Sequence, residues 1–151
     1  MYFPPKSILV VDLDGTLCDV RHRLHLAQAS EWDEFHNHLE NDVPIKATAE
    51  IVGTMSILHE IVIATGRNER YRLRTVNWLN KHHIRCDALL MRPDDNYESD
   101  HLLKPRMLLE YLEENERKLE NIIAVIDDRD KVVAAWREMG LVCLQPQEGA
   151  Y

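Results

Sequence analysis

Two carboxylates spaced two residues apart, at the end of the apolar run Ile8-Leu9-Val10-Val11-Asp12-Leu13-Asp14-Gly15-Thr16, are the groups of this chain best placed to do chemistry. Residues i and i+2 of an extended backbone point to the same side, so Asp12 and Asp14 converge. At about 4 Å two like charges repel by roughly 1 to 4 kcal/mol, and the arrangement asks for a cation or a shared chemical task. Asp-Gly is also an ordinary turn dipeptide, and a strand closed by an Asx-type turn accounts for this stretch taken alone. A second apolar run, Ile122-Ile123-Ala124-Val125-Ile126, ends in its own acidic pair, Asp127-Asp128. Two strands that deliver carboxylates from their C-terminal ends match the ligand-binding edge of a parallel α/β sheet.

The elements that must position these groups alternate between strand and helix. Residues 17–41 are polar and irregular, with Ser30 placed to cap a short helix and Asp33 three residues on as a weak capping box. A helix over about 44–59 follows, with Pro44 near its first turn and Ile51, Val52, Met55 and Leu58 on one face. The run Ile61-Val62-Ile63-Ala64 reads as a strand ending at Thr65-Gly66-Arg67. Asn68 is placed to cap the next helix, on which Tyr71, Thr75, Trp78 and Leu79 share a side.

Residues 84–91 form a weaker third strand, 92–96 a polar loop, and 102–119 a helix with Leu103, Met107, Leu108, Tyr111 and Leu112 facing the core. After the strand 122–126, a helix over about 130–139 presents Val132, Val133 and Trp136. Gly140 terminates it, and 141–144 supplies a fifth strand. Alternation of this kind predicts a parallel sheet of about five strands covered by helices on both faces. No repeat, low-complexity tract or linker divides residues 1–151.

The chain has 151 residues, 45% of them hydrophobic and 29% charged, enough to bury a real core without staples. No stretch approaches the roughly 18 apolar residues of a membrane span. The segment Met1-Tyr2-Phe3-Pro4-Pro5-Lys6 lacks the basic and apolar regions of a secretory signal, which points to the cytoplasm. Cys18, Cys86 and Cys143 are odd in number and widely separated, indicating buried free thiols in place of disulfides or a zinc site. The histidines form no His-Glu-x-x-His or Cys/His cluster and read as surface or helix-end residues.

A net charge of −8 disfavours a broad grip on duplex nucleic acid, which needs many Lys and Arg contacts to phosphate. A local contact is compatible with the cluster Arg67, Arg70, Arg72 and Arg74 and with Arg21 and Arg23. The acidic residues Glu110, Glu113, Glu114 and Glu116 lie on another segment.

Four strand-end or adjacent loops thus offer distinct chemical types: Asp12 and Asp14; Thr65, Gly66 and Arg67; Lys104; Asp127 and Asp128. This ordered set resembles the haloacid dehalogenase-like phosphatase superfamily and covers all four of its signature motifs. The resemblance implies a Rossmann-like three-layer sandwich. Asp12 would be the nucleophile that forms an aspartyl-phosphate, and Asp14 the general acid/base. An acid at the second position favours phosphomonoester chemistry over dehalogenation.

The resemblance further implies Mg²⁺ held by Asp12, the backbone carbonyl of Asp14 and Asp127, with Asp128 bound directly or supporting. Thr65 and the Gly66 N–H would bind phosphate. Lys104 would neutralise phosphate charge, with Pro105 suited to a first helical turn and Asp100 fixing the ammonium.

A narrower resemblance lies in Ile126-Asp127-Asp128-Arg129, Val132-Val133, Trp136-Arg137 and Gly140, in Ala64-Thr65-Gly66-Arg67, and in Met91-Arg92-Pro93-Asp94-Asp95. These are similar to the 3′-phosphatase domain of phage polynucleotide kinase-phosphatases, in which Arg67 and Arg23, or Arg21 in its place, would assist the site. The chain has no Gly-x-x-x-x-Gly-Lys-Ser/Thr loop, so kinase activity is not expected. The cap, a small helical insertion within about 17–43, is minimal, and an open cleft would admit a phosphorylated nucleic-acid end or a nucleotide.

The implied function is removal of phosphate from nucleic-acid 3′ ends, with 5′- or 3′-mononucleotides as the alternative substrate and no obligate protein partner. Two other classes fit less well. A receiver-type phospho-acceptor would place its second acidic site at the third strand, which here ends in Met91-Arg92-Pro93. A non-catalytic interaction module would not need competent residues at each of these positions. Trp32 and Phe35 are expected to pack onto the core, with contact to a base or a partner as the other reading.

Overall fold

Strand β1 (Ile8–Val11) is the centre of the molecule, and all four of its residues are buried. Leu9 and Val11 enter one apolar cluster while Ile8 and Val10 enter another. That alternation is what a strand covered on both faces requires, and it explains an unbroken apolar run in place of an apolar/polar pattern. The computed structural model describes residues 5–150. Residues 1–4, which begin the N-terminal segment read above for signal character, and Tyr151 lie outside them.

After β1 come β2 (Cys18–Asp19), α1 (Leu24–Gln28), α2 (Trp32–Asn37), β3 (Val43–Pro44), α3 (Lys46–Met55) and β4 (Glu60–Asn68). The chain continues through α4 (Arg72–Lys81), β5 (Ala88–Arg92), α5 (Asp100–Glu114), β6 (Ile122–Ile126), α6 (Asp130–Glu138) and β7 (Cys143–Leu144). The five-stranded sheet runs β5-β4-β1-β6-β7, and every neighbouring pair is parallel. This is the α/β three-layer architecture expected from the sequence.

Val52 of α3 with Trp78 and Leu79 of α4 covers one face; Leu108 and Leu112 of α5 with Val132, Val133 and Trp136 of α6 covers the other. The chain leaves β1 toward β4 and β5, then returns past β1 to β6 and β7. The C-terminal ends of β4, β1 and β6 therefore lie side by side at the switch in strand order, where such sheets bind ligands.

The antiparallel ribbon β2–β3, pairing Cys18 with Pro44 and Asp19 with Val43, ties off the insertion that carries α1 and α2.

Several local expectations are corrected. Ser30 caps nothing: it has φ 59° in the left-handed region, and α2 starts after Glu31 with no side-chain cap bond. Pro44 belongs to β3, so α3 begins at Lys46. It ends at Met55, leaving Ile51 and Leu58 exposed while Val52 is buried. A 3-10 turn over Glu69–Tyr71 separates Asn68 from α4, and Asn68 makes no side-chain cap bond.

Strand β5 is shorter than 84–91 and ends one residue later, at Arg92. Helix α5 starts at Asp100, so Pro105 falls one turn inside it, and the helix stops at Glu114 well before residue 119. β7 covers only half of 141–144. Gly140, at φ 83°, terminates α6 as expected, since this conformation is free of Cβ strain only for glycine.

Phe35 is buried as expected, but Trp32 is 53% exposed, and His36 is buried where a surface histidine was expected. Cys18 and Cys143 are buried free thiols, whereas Cys86 is half-buried. No helix among the described residues is long and apolar enough to cross a membrane.

Candidate active site

The C-terminal edge of the sheet opens into a cleft of about 880 Å³ whose lining includes Asp12, Asp14, Thr65, Gly66 and Lys104. One wall comes from the α1–α2 insertion, through Leu24, Trp32, Phe35 and His36, and the other from the loop before α5, through Asn96 to Asp100. Most of the expected site residues therefore converge, although they come from four separate segments of the chain.

The loop after β1 is built by Gly15, whose φ of 86° lets the backbone reverse directly behind Asp14. Amides of Thr16, Leu17 and Cys18 all donate to the Leu13 carbonyl or its immediate turn, so the loop is fixed from within. The C-terminal segment also holds it: Gln147 Nε2 donates to the Gly15 carbonyl at 3.0 Å, and Gln145 Nε2 to the Asp128 carbonyl at 2.9 Å. The loops bearing both acidic pairs are thus strapped together.

Asp12, Asp127 and Asp128 each bring a carboxylate oxygen within 4.8 Å of the others, and all three residues are buried. Lys104 Nζ donates to Asp12 Oδ1 at 2.7 Å and to Asp127 Oδ2 at 2.9 Å. The Thr16 hydroxyl, with one proton to give, lies 2.9 Å from Asp12 Oδ2 and 3.2 Å from Asp128 Oδ1. Trp136 Nε1 reaches Asp127 Oδ2 at 3.3 Å.

Asp12 and Asp127 share the Lys104 ammonium, and Asp128 lies beside them. Burial pushes the Asp12 carboxyl well above its ordinary range; Lys104 opposes this, while Asp127 and Asp128 add to it. Lys104 is also buried, yet Asp12 and Asp127 hold it charged, raising its pKa in spite of desolvation. The clustered, all-oxygen donor set suits a hard divalent cation.

Asp14 lies in a different electrostatic setting. Burial works against its ionised form, but Arg67 and Arg23 outweigh it and hold the carboxyl well below the usual carboxylate range. Arg67 Nη2 donates to Asp14 Oδ1 at 2.5 Å, and Arg23 Nη2 to the same oxygen at 2.9 Å. Both arginines also reach Asp42 Oδ2, at 3.1 and 2.6 Å, and the Arg23 guanidinium stacks 3.9 Å above the Phe35 ring. Asp14 and Asp42, which with Cys18 make up the second acidic group, are therefore paired with the two guanidinium groups in a charge-balanced tetrad.

Arg21, the alternative to Arg23, is 87% exposed at its side chain and pairs with Asp19. The structure brings Arg23 to the site and leaves Arg21 outside. Arg23 and Arg67, expected at the phosphate, are fully buried behind Asp14 and do not line the cleft. Asp100 accepts hydrogen bonds from Arg92 and Arg129, the latter at 2.5 Å, and acts on Lys104 only through its field.

Sequence reasoning missed Asp42, His36, Arg92 and Arg129 as parts of the site. Asp42 precedes Val43-Pro44, and nothing local to that segment announces two arginines arriving from 19 and 25 residues away. Arg92 had a signal, a basic residue at the end of a strand that points toward the functional edge.

Comparisons with known proteins identify the family. The family model described as the polynucleotide kinase PNKP phosphatase domain (HAD_PNKP) matches residues 5–151. A putative bifunctional polynucleotide kinase/RNA ligase of Autographa californica nuclear polyhedrosis virus is 31% identical over 138 residues, covering 89% of this chain and 18% of that protein. A solved chain of the Pnkp1/Rnl/Hen1 RNA repair complex superposes with a TM-score of 0.82 at 25% identity, over all of this chain and 47% of that one.

A haloacid dehalogenase-like family hydrolase from Streptococcus pneumoniae shares the fold, with a TM-score of 0.68 at 15% identity over 93% of this chain and 84% of that one. The chain thus spans under a fifth of the viral protein and about half of the RNA-repair chain. With nearly its whole length matched, this chain belongs to the haloacid dehalogenase-like phosphatases, in the family of polynucleotide kinase phosphatase domains.

Proposed function

We propose that this chain hydrolyses phosphomonoesters at nucleic-acid 3′ ends, through an aspartyl-phosphate on Asp12 and with Mg²⁺ as cofactor. The observation that carries the reading is the division of the site. One carboxylate, Asp12, is held by Lys104 beside Asp127, and the carboxylate two residues on, Asp14, is held apart from them by two arginines. Carboxylates whose surroundings push their pKa values in opposite directions are the mark of separate chemical roles.

An oxygen of Asp12 attacks phosphorus, the bond from phosphorus to the leaving oxygen breaks, and Asp14 supplies that oxygen's proton. Asp14 then takes a proton from water, whose oxygen displaces Asp12 from phosphorus and regenerates the free carboxylate. Its ionised resting state suits this second step. For the first, the negative charge of the arriving phosphate raises its pKa. Thr65 and the Gly66 N–H donate to phosphate oxygens at the cleft floor, and the Lys104 ammonium offsets their charge. Arg23 and Arg67 act behind Asp14, fixing its position through Asp42. Asp12, Asp127 and Asp128, with the Asp14 carbonyl, would hold Mg²⁺, which would supply positive charge to offset that of the carboxylates and the phosphate.

Support for a nucleic-acid end comes from the family match, and Arg70, Arg129 and Lys131 in the cleft lining are suited to the phosphates of a strand that enters it. The test is phosphate release in Mg²⁺ from matched 3′- and 5′-phosphorylated oligonucleotides, mononucleotides and an aryl phosphate. Fastest turnover of the 3′-phosphorylated oligonucleotides is expected. Turnover of mononucleotides without release from any 3′-phosphorylated oligonucleotide would overturn the substrate assignment.

A further inference from the structure

The cleft wall holds a polar side chain that the chemistry above leaves without a task. His36, on α2 of the insertion, lines the cleft beside Asp14 and Phe35 and is only 6% exposed. Its ring packs 4.7 Å from the Tyr71 ring and 5.3 Å from that of Phe35. Its Nδ1 is buried with no hydrogen-bond partner among the described residues. The Phe35 ring has no polar atom to offer, the Phe35 carbonyl accepts from Arg23 at 3.1 Å, and the Tyr71 hydroxyl is directed to Asp33 at 3.1 Å. A buried polar atom left unpaired is costly; beside a ligand cleft, it points to a ligand that supplies the missing bond.

The chemistry of that ligand follows from the ring's charge. Burial, opposed by Asp14 and aided by Arg67 and Arg23, drives the His36 pKa down to about 4, so the imidazole is neutral near pH 7. A neutral imidazole does little to offset a phosphate dianion, but it offers one donor and one acceptor. A hydroxyl, itself a donor and an acceptor, is its match. His36 is close enough to Asp14 for each to alter the other's charge state, and Asp14 is the group that faces the leaving oxygen. On a 3′-phosphorylated ribose, the hydroxyl on the adjoining carbon lies next to that oxygen. A deoxyribose has none there.

We propose that His36 is a specificity residue that hydrogen-bonds the 2′-hydroxyl of the terminal ribose, so that RNA 3′-phosphate ends are preferred over DNA ends; this rests on the 3′-end reading above. The test measures kcat/KM for one oligonucleotide sequence ending in a ribose, 2′-deoxyribose or 2′-O-methylribose 3′-phosphate, alongside an aryl phosphate. The wild-type chain is expected to favour the ribose end over the deoxyribose end by about tenfold, the scale of one hydrogen bond. His36→Phe should bring that ratio close to one, and His36→Gln, which keeps a donor and an acceptor, should restore part of it.

Equal wild-type rates on the ribose and deoxyribose ends would overturn the proposal, and that comparison needs no variant to fold. A tenfold ratio that persists in His36→Phe would overturn the assignment to His36. Release from all 3′ ends without discrimination defeats this inference alone. Turnover of the aryl phosphate with no release from any 3′ end defeats the 3′-end reading and this inference with it.

Discussion

Arg67 bridges two carboxylates: its Nη2 lies 2.5 Å from Asp14 Oδ1 and 3.1 Å from Asp42 Oδ2. The guanidinium and the Asp42 carboxylate are both fully buried, so the loop after β1 and the base of the insertion are joined through one side chain. Removing a partner from a buried pair costs about 3–5 kcal/mol, because the remaining charge is stranded. Arg67→Ala should lose that much unfolding free energy in denaturant titrations. Arg67→Lys keeps the charge without the planar fork and should be more stable than Arg67→Ala, yet lose roughly 100-fold in kcat/KM through misplacement of Asp14. Wild-type kinetics in Arg67→Lys would show that the bridge is structural only.

Asp12 is a carboxylate that folding disfavours. Its folded pKa lies well above the ordinary value, chiefly through burial, so above pH 4 its charged form subtracts from stability. Asp12→Asn should therefore abolish turnover of an aryl phosphate while raising the melting temperature in metal-free buffer by a few degrees, equivalent to about 1 kcal/mol. A melting temperature below wild type would contradict the conflict of charges inferred at this position.

The same crowding predicts a response to metal. With Asp12 and Asp127 sharing Lys104 and Asp128 beside them, Mg²⁺ that binds only the folded chain should stabilise it by about 2–3 kcal/mol at a hundredfold excess over its dissociation constant. Chelator should reverse the gain, and Asp127→Asn should remove most of it. Thermal melts with and without Mg²⁺ check this apart from any assay of activity; identical shifts in wild type and Asp127→Asn would rule out the three-carboxylate site.

His36 makes stability depend on pH above the carboxylate range. Its folded pKa of about 4 lies below the ordinary 6.5, so the unfolded chain binds the extra proton between these values and stability is lost as pH falls through them. The full effect is about 3 kcal/mol. Asp14, whose folded pKa is depressed by Arg67 and Arg23 against the opposing effect of burial, adds a loss only below about pH 4. Denaturant midpoints for His36→Phe should therefore be flatter than wild type between pH 6.5 and 4, and the two should fall together below that. Parallel curves throughout would mean that the imidazole titrates normally in the folded chain.

The sequence analysis found the strands more readily than the caps, for a physical reason. Strand β1 is apolar at every position because both faces are covered, and its acidic terminus is written in consecutive residues. Asp12, Asp14 and Asp127 are legible because each follows an apolar strand, and Lys104 because it lies near the start of a helix whose apolar positions recur. Ser30 and Pro44 misled because local propensity favoured a cap and a helix start, whereas the β2–β3 ribbon claims Pro44 through a tertiary pairing. Asp42 and His36 carry no periodic signal: one is defined by Arg23 and Arg67, the other by burial against Tyr71. Asp100 was placed correctly but given the wrong partner, since Arg92 and Arg129 reach it from β5 and the loop after β6.

Asp100 also explains the glycine near the C-terminal end of β4. A Cβ on Gly66 would lie 2.7 and 2.8 Å from the two Asp100 carboxylate oxygens. The carboxylate has little freedom to yield, because Arg92 and Arg129 both hold it, and Arg92 Nε also donates to the Gly66 carbonyl at 3.0 Å. Gly66→Ala must therefore displace Asp100 or the Thr65-Gly66 loop. It is expected to cost about 1–3 kcal/mol of stability and, with the phosphate donors shifted, roughly 100-fold in kcat/KM. If the clash with Asp100 is the cause, Asp100→Ala in the Gly66→Ala background should recover part of the stability loss, giving a coupling of about 1 kcal/mol in a double-mutant cycle. Strict additivity would place the cost elsewhere in the loop.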